Sequence, residues 1–227
     1  MTNSVKIIYK NKDAIIILKP AGMPSQSDPS GDTDAMTVTE ALLREAGERS
    51  SLWLVHRLDR TVGGLIAFAR NKKSAAELSR LAASGDMEKK YFAVCHGVPE
   101  DGEYRDYLYK DNATSKSYIV KTARAGAKEA ILHSKSLSVS EDGNLSLVSV
   151  LLETGRFHQI RAQFAARSHS LVGDKKYGSR DTMAKKPALF AYSLAFELFG
   201  KKISARHLPP TEEYPWSLFS ESVYKEK

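Results

Sequence analysis

"EAILHSKSLSVSEDGNLSLVSVLLET", residues 129–154, sets two strand-length runs on either side of a single turn. "EAILHSKSLSV" and "NLSLVSVLLET" are rich in Leu, Val and Ile, and Glu141-Asp142-Gly143-Asn144 between them is a hairpin turn signal. A hairpin makes its strands antiparallel, so the fold class depends on whether the flanks continue the pattern. Upstream, "KKYFAVCHG" at 89–97 alternates, with Tyr91, Ala93 and Cys95 on one face and Phe92, Val94 and His96 on the other. Residues 99–116 read as a charged connection into the strand-like "SYIVKTA" at 117–123. Downstream, a helix is expected over 157–166, where Phe157, Ile160 and Phe164 keep helical spacing. "ALFAYSLAFEL" and "KKISARH" then read as two more strands joined at Phe199-Gly200.

The first third mixes both periods. Residues 14–18 form an apolar strand closed by Lys19-Pro20-Ala21-Gly22, and a loop rich in Ser, Asp, Pro and Gly covers 25–34. Thr37 and Glu40 make a capping box for a helix with Val38, Ala41, Leu42 and Ala46 on one face, stopped by Gly47. Residues 65–69 read as a short buried strand. Ser74 and Glu77 make a second capping box, with Leu78, Leu81 and Ala82 as the stripe and Gly85 as the stop. Several strands in series with few helices between them argue for an α+β fold around a largely antiparallel sheet. No linker interrupts the chain, so a single domain over 1–227 is expected.

Composition narrows the class. With 227 residues, 42% hydrophobic and 27% charged, the chain can bury a real core, and no apolar run reaches bilayer-spanning length. The start of the chain lacks a small-residue cleavage site, so neither a signal nor a transit peptide is read there. One cysteine, Cys95, excludes an internal disulfide and points to a reducing compartment; a cytoplasmic protein is expected. The formal charge of +7 calls for a polyanionic partner. Residues 154–186 carry eight Lys or Arg against two Asp, and that concentration favours nucleic acid over a merely solvated face.

Several chemistries fall away. "GDKKYGSR", 173–180, has two glycines at phosphate-loop spacing but no Lys after the second and no strand-then-helix context. The six histidines and the cysteine show no i, i+4 or C-x-x-C spacing, so no metal site is expected. Cys95 alternates within a strand and reads as core, and no Gly-x-Ser-x-Gly elbow exists. The chemistry, if any, should need no cofactor.

"HRLDRTVGGL", 56–65, remains unexplained by packing, because it carries Asp59 into apolar surroundings. A carboxylate there must be paired or neutralised. Arg161, on the edge of the apolar stripe of the 157–166 helix, is a suitable partner and would favour the anion. Thr154-Gly155-Arg156 opens that helix, whose amides and basic side chains favour a phosphate. Tyr91 offers a flat face for a base to stack on.

The sequence resembles pseudouridine synthases of the large-subunit RluA type. The resemblance is carried by "HRLD" at 56–59, "KKYFAVCHG" at 89–97, "TGRFHQIRAQFA" at 154–165 and "LVGDKKYG" at 171–178, with "ILKPAGMPSQ" at 17–26 as the opening motif. It spans about residues 5–208, and His56 before "RLD" points to this branch rather than to the small-subunit relatives. It implies a pseudouridine synthase-like catalytic domain, a sheet flanked by helices and loops around a central cleft. The implied reaction breaks a uridine N-glycosidic bond in ribosomal or transfer RNA, rotates the base and rejoins it through carbon, without metal or cofactor. Asp59 would be the catalytic carboxylate, as nucleophile or as proton acceptor. Tyr91 would stack on the base, and Arg161 would hold and ionise Asp59. His56, Arg57, Arg156, His158, Gln159 and Lys19 would handle substrate, with Arg57 and His56 placed to fill the space of an extruded nucleotide. The enzyme is expected to be a monomer without a separate N-terminal RNA-binding domain.

One departure is local: Val62 and Gly63 stand where the family has Thr-Ser before its glycine. Two other readings compete. A non-catalytic RNA-binding module would not need a buried carboxylate, and a glycoside hydrolase would need a second acid for which neither Glu153 nor Asp174 has an obvious claim.

Overall fold

The computed structural model describes residues 4–123 and 125–225. In chain order the elements are β1 (Lys6–Lys10), β2 (Ala14–Lys19), α1 (Ala35–Glu45), β3 (Trp53–Leu54), β4 (Gly63–Ala69), α2 (Lys72–Ser84), β5 (Glu88–His96), β6 (Gly102–Asp111), β7 (Lys116–Val120), β8 (Ala127–Val139), β9 (Leu145–Leu152), α3 (Gln159–Ala166), β10 (Leu189–Leu198) and β11 (Lys201–Arg206), with three short 3-10 turns. The class is α+β, as the strand-rich sequence implies. Residues group into two compact units, 1–89 with 191–207, and 90–190 with 208–227.

In the first unit the strand order is β1-β2-β4-β10, with β3 on β4 and β11 on β10. The apolar run of β2 pairs antiparallel with β4, Ala14 opposite Ala69 and Lys19 opposite Gly64. Both strands are almost wholly buried, which is why neither alternates in sequence. Ile16, Leu65, Ala67, Leu78, Leu81, Leu194, Phe196 and Ile203 share one core cluster, so α2 covers this sheet with the Leu78 and Leu81 stripe. Gly85 ends α2 in the left-handed conformation.

The helix starts differ from the sequence expectation. Asp34, not Thr37, caps α1: its carboxylate accepts from Thr37 N at 2.9 Å and from Thr37 Oγ1 at 2.7 Å. The buried face is accordingly Ala35, Thr39 and Leu43, while Leu42 is exposed. Asn71, not Ser74, caps α2, accepting from Ser74 N at 2.8 Å. In both cases the true cap lies three residues upstream of the apparent one, and the apparent one is its donor.

In the second unit the order is β5-β9-β8-β6-β7. The 129–154 hairpin forms β8 and β9, paired antiparallel with a bulge between Ser136 and Ser138. β5 lies against β9, with Tyr91 opposite Val150 and Cys95 opposite Ser146. The expected charged connection at 99–116 is instead mostly strand β6, which joins β8 and β7. Only Tyr104 and Leu108 of β6 are buried, and its outward charges pair, Arg105 with Glu103 and Glu129. β1 likewise goes unread in the sequence, being mostly half-buried with exposed lysines at its ends. The helix expected over 157–166 is shorter, starting at Gln159 with His158 in the left-handed region at φ 53°.

Candidate active site

In the first unit the segment around Asp59 is latched on both sides. Ser25 Oγ acts as a strand partner for Leu58, donating to its carbonyl at 2.9 Å and accepting from its N–H at 3.2 Å. Beyond Asp59, the Arg60 carbonyl accepts from Gly22 N at 2.7 Å and from Lys19 Nζ at 3.3 Å. Lys19 is 1% exposed and also donates to Met23 O at 2.7 Å and Pro20 O at 3.2 Å, so it ties the opening motif to the Asp59 loop. Val62 N donates to Asp59 O at 3.0 Å and closes the turn. Arg60 is engaged by Gly22 O, Ser30 and Asp32. Arg57 is exposed, and Asp59 half-buried. A shallow hollow of about 100 Å³ lies between loop 24–28 and Leu54, Arg57, Leu58 and Arg60.

His56 has a structural bond: its Nε2 accepts from Ala67 N at 3.0 Å, which requires the neutral imidazole. Burial, and secondarily the Lys89 ammonium, hold its pKa down to about 3. It thus extends the β3–β4 pairing where β3 stops. At the departure from the family pattern, Gly64 (φ 123°) cannot change, since a Cβ there would lie 2.3 Å from Ala191 O. Gly63 has 3.3 Å to Ala21 N as its tightest Cβ contact, so the position of the missing hydroxyl is cramped but not closed.

The second unit holds Tyr91, Arg156, His158, Gln159 and Arg161. Tyr91 lies in β5 and is 6% exposed. Arg161, 5% exposed on α3, makes a two-point ion pair with Asp174, Nε to Oδ2 at 2.7 Å and Nη2 to Oδ1 at 2.8 Å. Its guanidinium also lies 5.1 Å from the Tyr177 ring centroid. His158 Nδ1 meets Tyr177 Oη at 3.0 Å. Gln159 works for the backbone: its Nε2 donates to Ile131 O at 3.1 Å, and its Oε1 accepts from Thr154 Oγ1 and Arg156 N. Arg156 Nε donates to Glu129 O at 2.8 Å. The turn at 154–156 therefore precedes the helix rather than opening it, and two of its amides are spent internally, Thr154 N on Ile131 O and Arg156 N on Gln159 Oε1, which takes those two donors from the phosphate expected there.

Asp174 and Tyr177 are the site residues the sequence reading leaves without a role. The signal was present in "GDKKYG", where an acid and an aromatic follow the "HQIR" helix. Glu153, the other candidate acid, is 45% exposed and paired with His133 at 2.6 Å, while Asp174 is 1% exposed beneath Arg161. Neither is a second hydrolytic acid in an open site. Cys95 is fully buried, and burial pushes its thiol up to about 12, so it is core. Among the described residues no cluster of His, Cys, Asp or Glu could hold a metal.

Residues 13–166, which include Asp59, Tyr91 and Arg161, match the family model described as RNA pseudouridylate synthase. The chain belongs to that family. Among curated relatives of this RNA pseudouridylate synthase chain, ribosomal large subunit pseudouridine synthase C of Rickettsia felis is 32% identical over 204 residues, 87% of this chain. The chain spans 65% of that relative's length. An uncharacterized RNA pseudouridine synthase of Zymomonas mobilis is 33% identical over 213 residues, covering 92% of this chain and 93% of the relative. Among solved structures, human RNA pseudouridylate synthase domain containing 1 aligns with TM-score 0.76 at 18% identity, over 92% of this chain and 85% of that one. That likeness bears on the fold, and it agrees with the α+β class read from the sequence.

Proposed function

We propose that this protein converts uridine in RNA to pseudouridine. The observation that carries the reading is the family match over residues 13–166, which brackets all three reacting positions. In the reaction the bond from uracil N1 to the sugar C1′ breaks, the base turns, and C5 bonds to C1′. The C5 hydrogen leaves as a proton and N1 gains one, so no redox partner or nucleotide is consumed. Asp59 reacts at the sugar, by attack on C1′ or by taking the neighbouring proton. Tyr91 stacks on the base, Arg161 is the cation of the reacting set, and Lys19 holds the Asp59 loop through the Arg60 carbonyl.

Such chemistry needs the base out of its stack, at a cost of a few kcal/mol, lowered where the uridine is unpaired. Exposed Arg57, beside Asp59, suits the vacated space, whereas Arg60 is occupied. Exposed Arg156 and the exposed cations of the basic 154–186 segment serve RNA on the other unit, while buried Gln159 and His158 hold the loop that presents them. The name of the Rickettsia relative supports ribosomal RNA ahead of transfer RNA as substrate. We read the enzyme as a cytoplasmic monomer acting without metal or cofactor; no helix among the described residues is long and apolar enough to cross a membrane.

The test is tritium release from unmodified ribosomal and transfer RNA labelled at uridine C5. Wild type is expected to release tritium from one of the two, and Asp59→Asn to release none. Intact RNA binding with no release by wild type would point to a non-catalytic RNA-binding module instead.

A further inference from the structure

Segment 173–179, "GDKKYGS", has the glycines of a phosphate loop without its context, and in the fold it turns onto Arg161 instead. We propose that Asp174, seconded by the Tyr177 ring, is a positioning residue that sets the plane and direction of the Arg161 guanidinium for the reaction. This rests on the reading of Arg161 as part of the reacting set.

The root of Arg161 is rigid. α3 is anchored through Gln159 Nε2 on Ile131 O at 3.1 Å and through Gln163 Nε2 on Tyr104 O at 3.0 Å. The head is fixed separately. A guanidinium carries five N–H donors in one plane, and Asp174 takes one from Nε and one from Nη2. The plane is then determined, and three N–H donors, two on Nη1 and one on Nη2, lie outside this pair, so the same head has donors to serve a second anion.

Asp174 is itself held. Its N–H donates to Leu171 O at 3.0 Å, and its carbonyl accepts from Tyr177 N at 3.0 Å and Ser179 N at 3.1 Å. Gly173 before it has φ 77°, and a Cβ there would lie 2.3 Å from Lys186 O, so the turn admits no other residue without moving. Both members of the pair are nearly inaccessible, at 6% and 1% side-chain exposure. A buried ion pair gives little net stability over an apolar replacement, so a geometric role explains its presence better than a stabilising one.

The experiment measures kcat and KM for tritium release by Asp174→Asn, Arg161→Lys and the double variant, with thermal unfolding confirming that each is folded at the assay temperature. Asp174→Asn is expected to lower kcat on the order of 100-fold with KM little changed, as misplacement of a reacting group does. The double variant should be no slower than Arg161→Lys alone by more than about twofold, because Asp174 acts through Arg161. Wild-type kcat in Arg161→Lys would overturn the assignment of Arg161 itself. A slow Arg161→Lys beside a normal Asp174→Asn, a rise in KM alone, or losses that multiply in the double variant would each overturn the role of Asp174. If Asp174→Asn does not fold, Asp174→Glu decides: it keeps the charge but shifts the fork by one methylene, and a lowered kcat supports the proposal whereas wild-type kcat overturns it.

Discussion

His56 shows how one residue serves two arguments. As part of "HRLD" it reads as a substrate residue, yet its Nε2 is an acceptor for Ala67 N in the fold. Its folded pKa of about 3 lies below the ordinary histidine value of about 6.5. The unfolded chain therefore binds the proton first as pH falls. The stability contributed by the neutral ring is complete above pH ~6.5 and is lost progressively toward pH ~3, at up to ~1.4 kcal/mol per pH unit. His56→Gln can still accept from Ala67 N but does not titrate, so the variant should show a flatter stability profile than wild type between about pH 7 and about pH 5. Urea midpoints at those two values check it; equal slopes would show that His56 does not titrate with unfolding. The motif made His56 and Arg161 conspicuous, but not their contacts. The amide that meets His56 is eleven residues away and the carboxylate that meets Arg161 thirteen, and no local period links such pairs.

At the scale of elements, legibility followed burial pattern. β2, β4, β8 and β9 carry enough apolar residues to announce themselves, and the turn at 141–144 fixes one hairpin outright. β6 does not, because its outward face is charged, and Arg105 is paired both with Glu103 of the same strand and with Glu129 of β8, which the sequence places twenty-four positions on. Helix starts were misread by one turn because Thr37 and Ser74 look like caps, although each is the donor to a cap. The difference is measurable in α1. Asp34 is 3% exposed and accepts from Thr37 N, Thr37 Oγ1 and Ser27 Oγ. Asp34→Ala should cost ~1–2 kcal/mol, within the range for lost caps, whereas Thr37→Ala at an exposed position should cost a few tenths. Thermal unfolding of the two variants decides, and an equal loss from both would return the cap to Thr37.

For the whole molecule the informative property is where the charge lies rather than its sum. The sequence concentrates cations at 154–186, and the fold divides them by use. Arg161 is buried and paired with Asp174, and Arg167 is half-buried and paired with Asp106, both as ion pairs of the second unit. Arg156, Lys175, Lys176, Arg180, Lys185 and Lys186 stay exposed. Only the second group can exchange counterions with an RNA backbone, so the salt dependence of binding should reflect these and not the total. Each lysine that neutralises one phosphate contributes ~0.7–0.9 to the slope of log K against log salt, depending on strandedness. Lys175→Gln with Lys176→Gln should therefore weaken RNA binding at low salt and reduce that slope by ~1.4–1.8 if both lysines touch phosphate. Filter binding across a salt series measures both quantities. A slope identical to wild type would mean that this part of the basic segment is a solvated face and that the polyanion is held elsewhere.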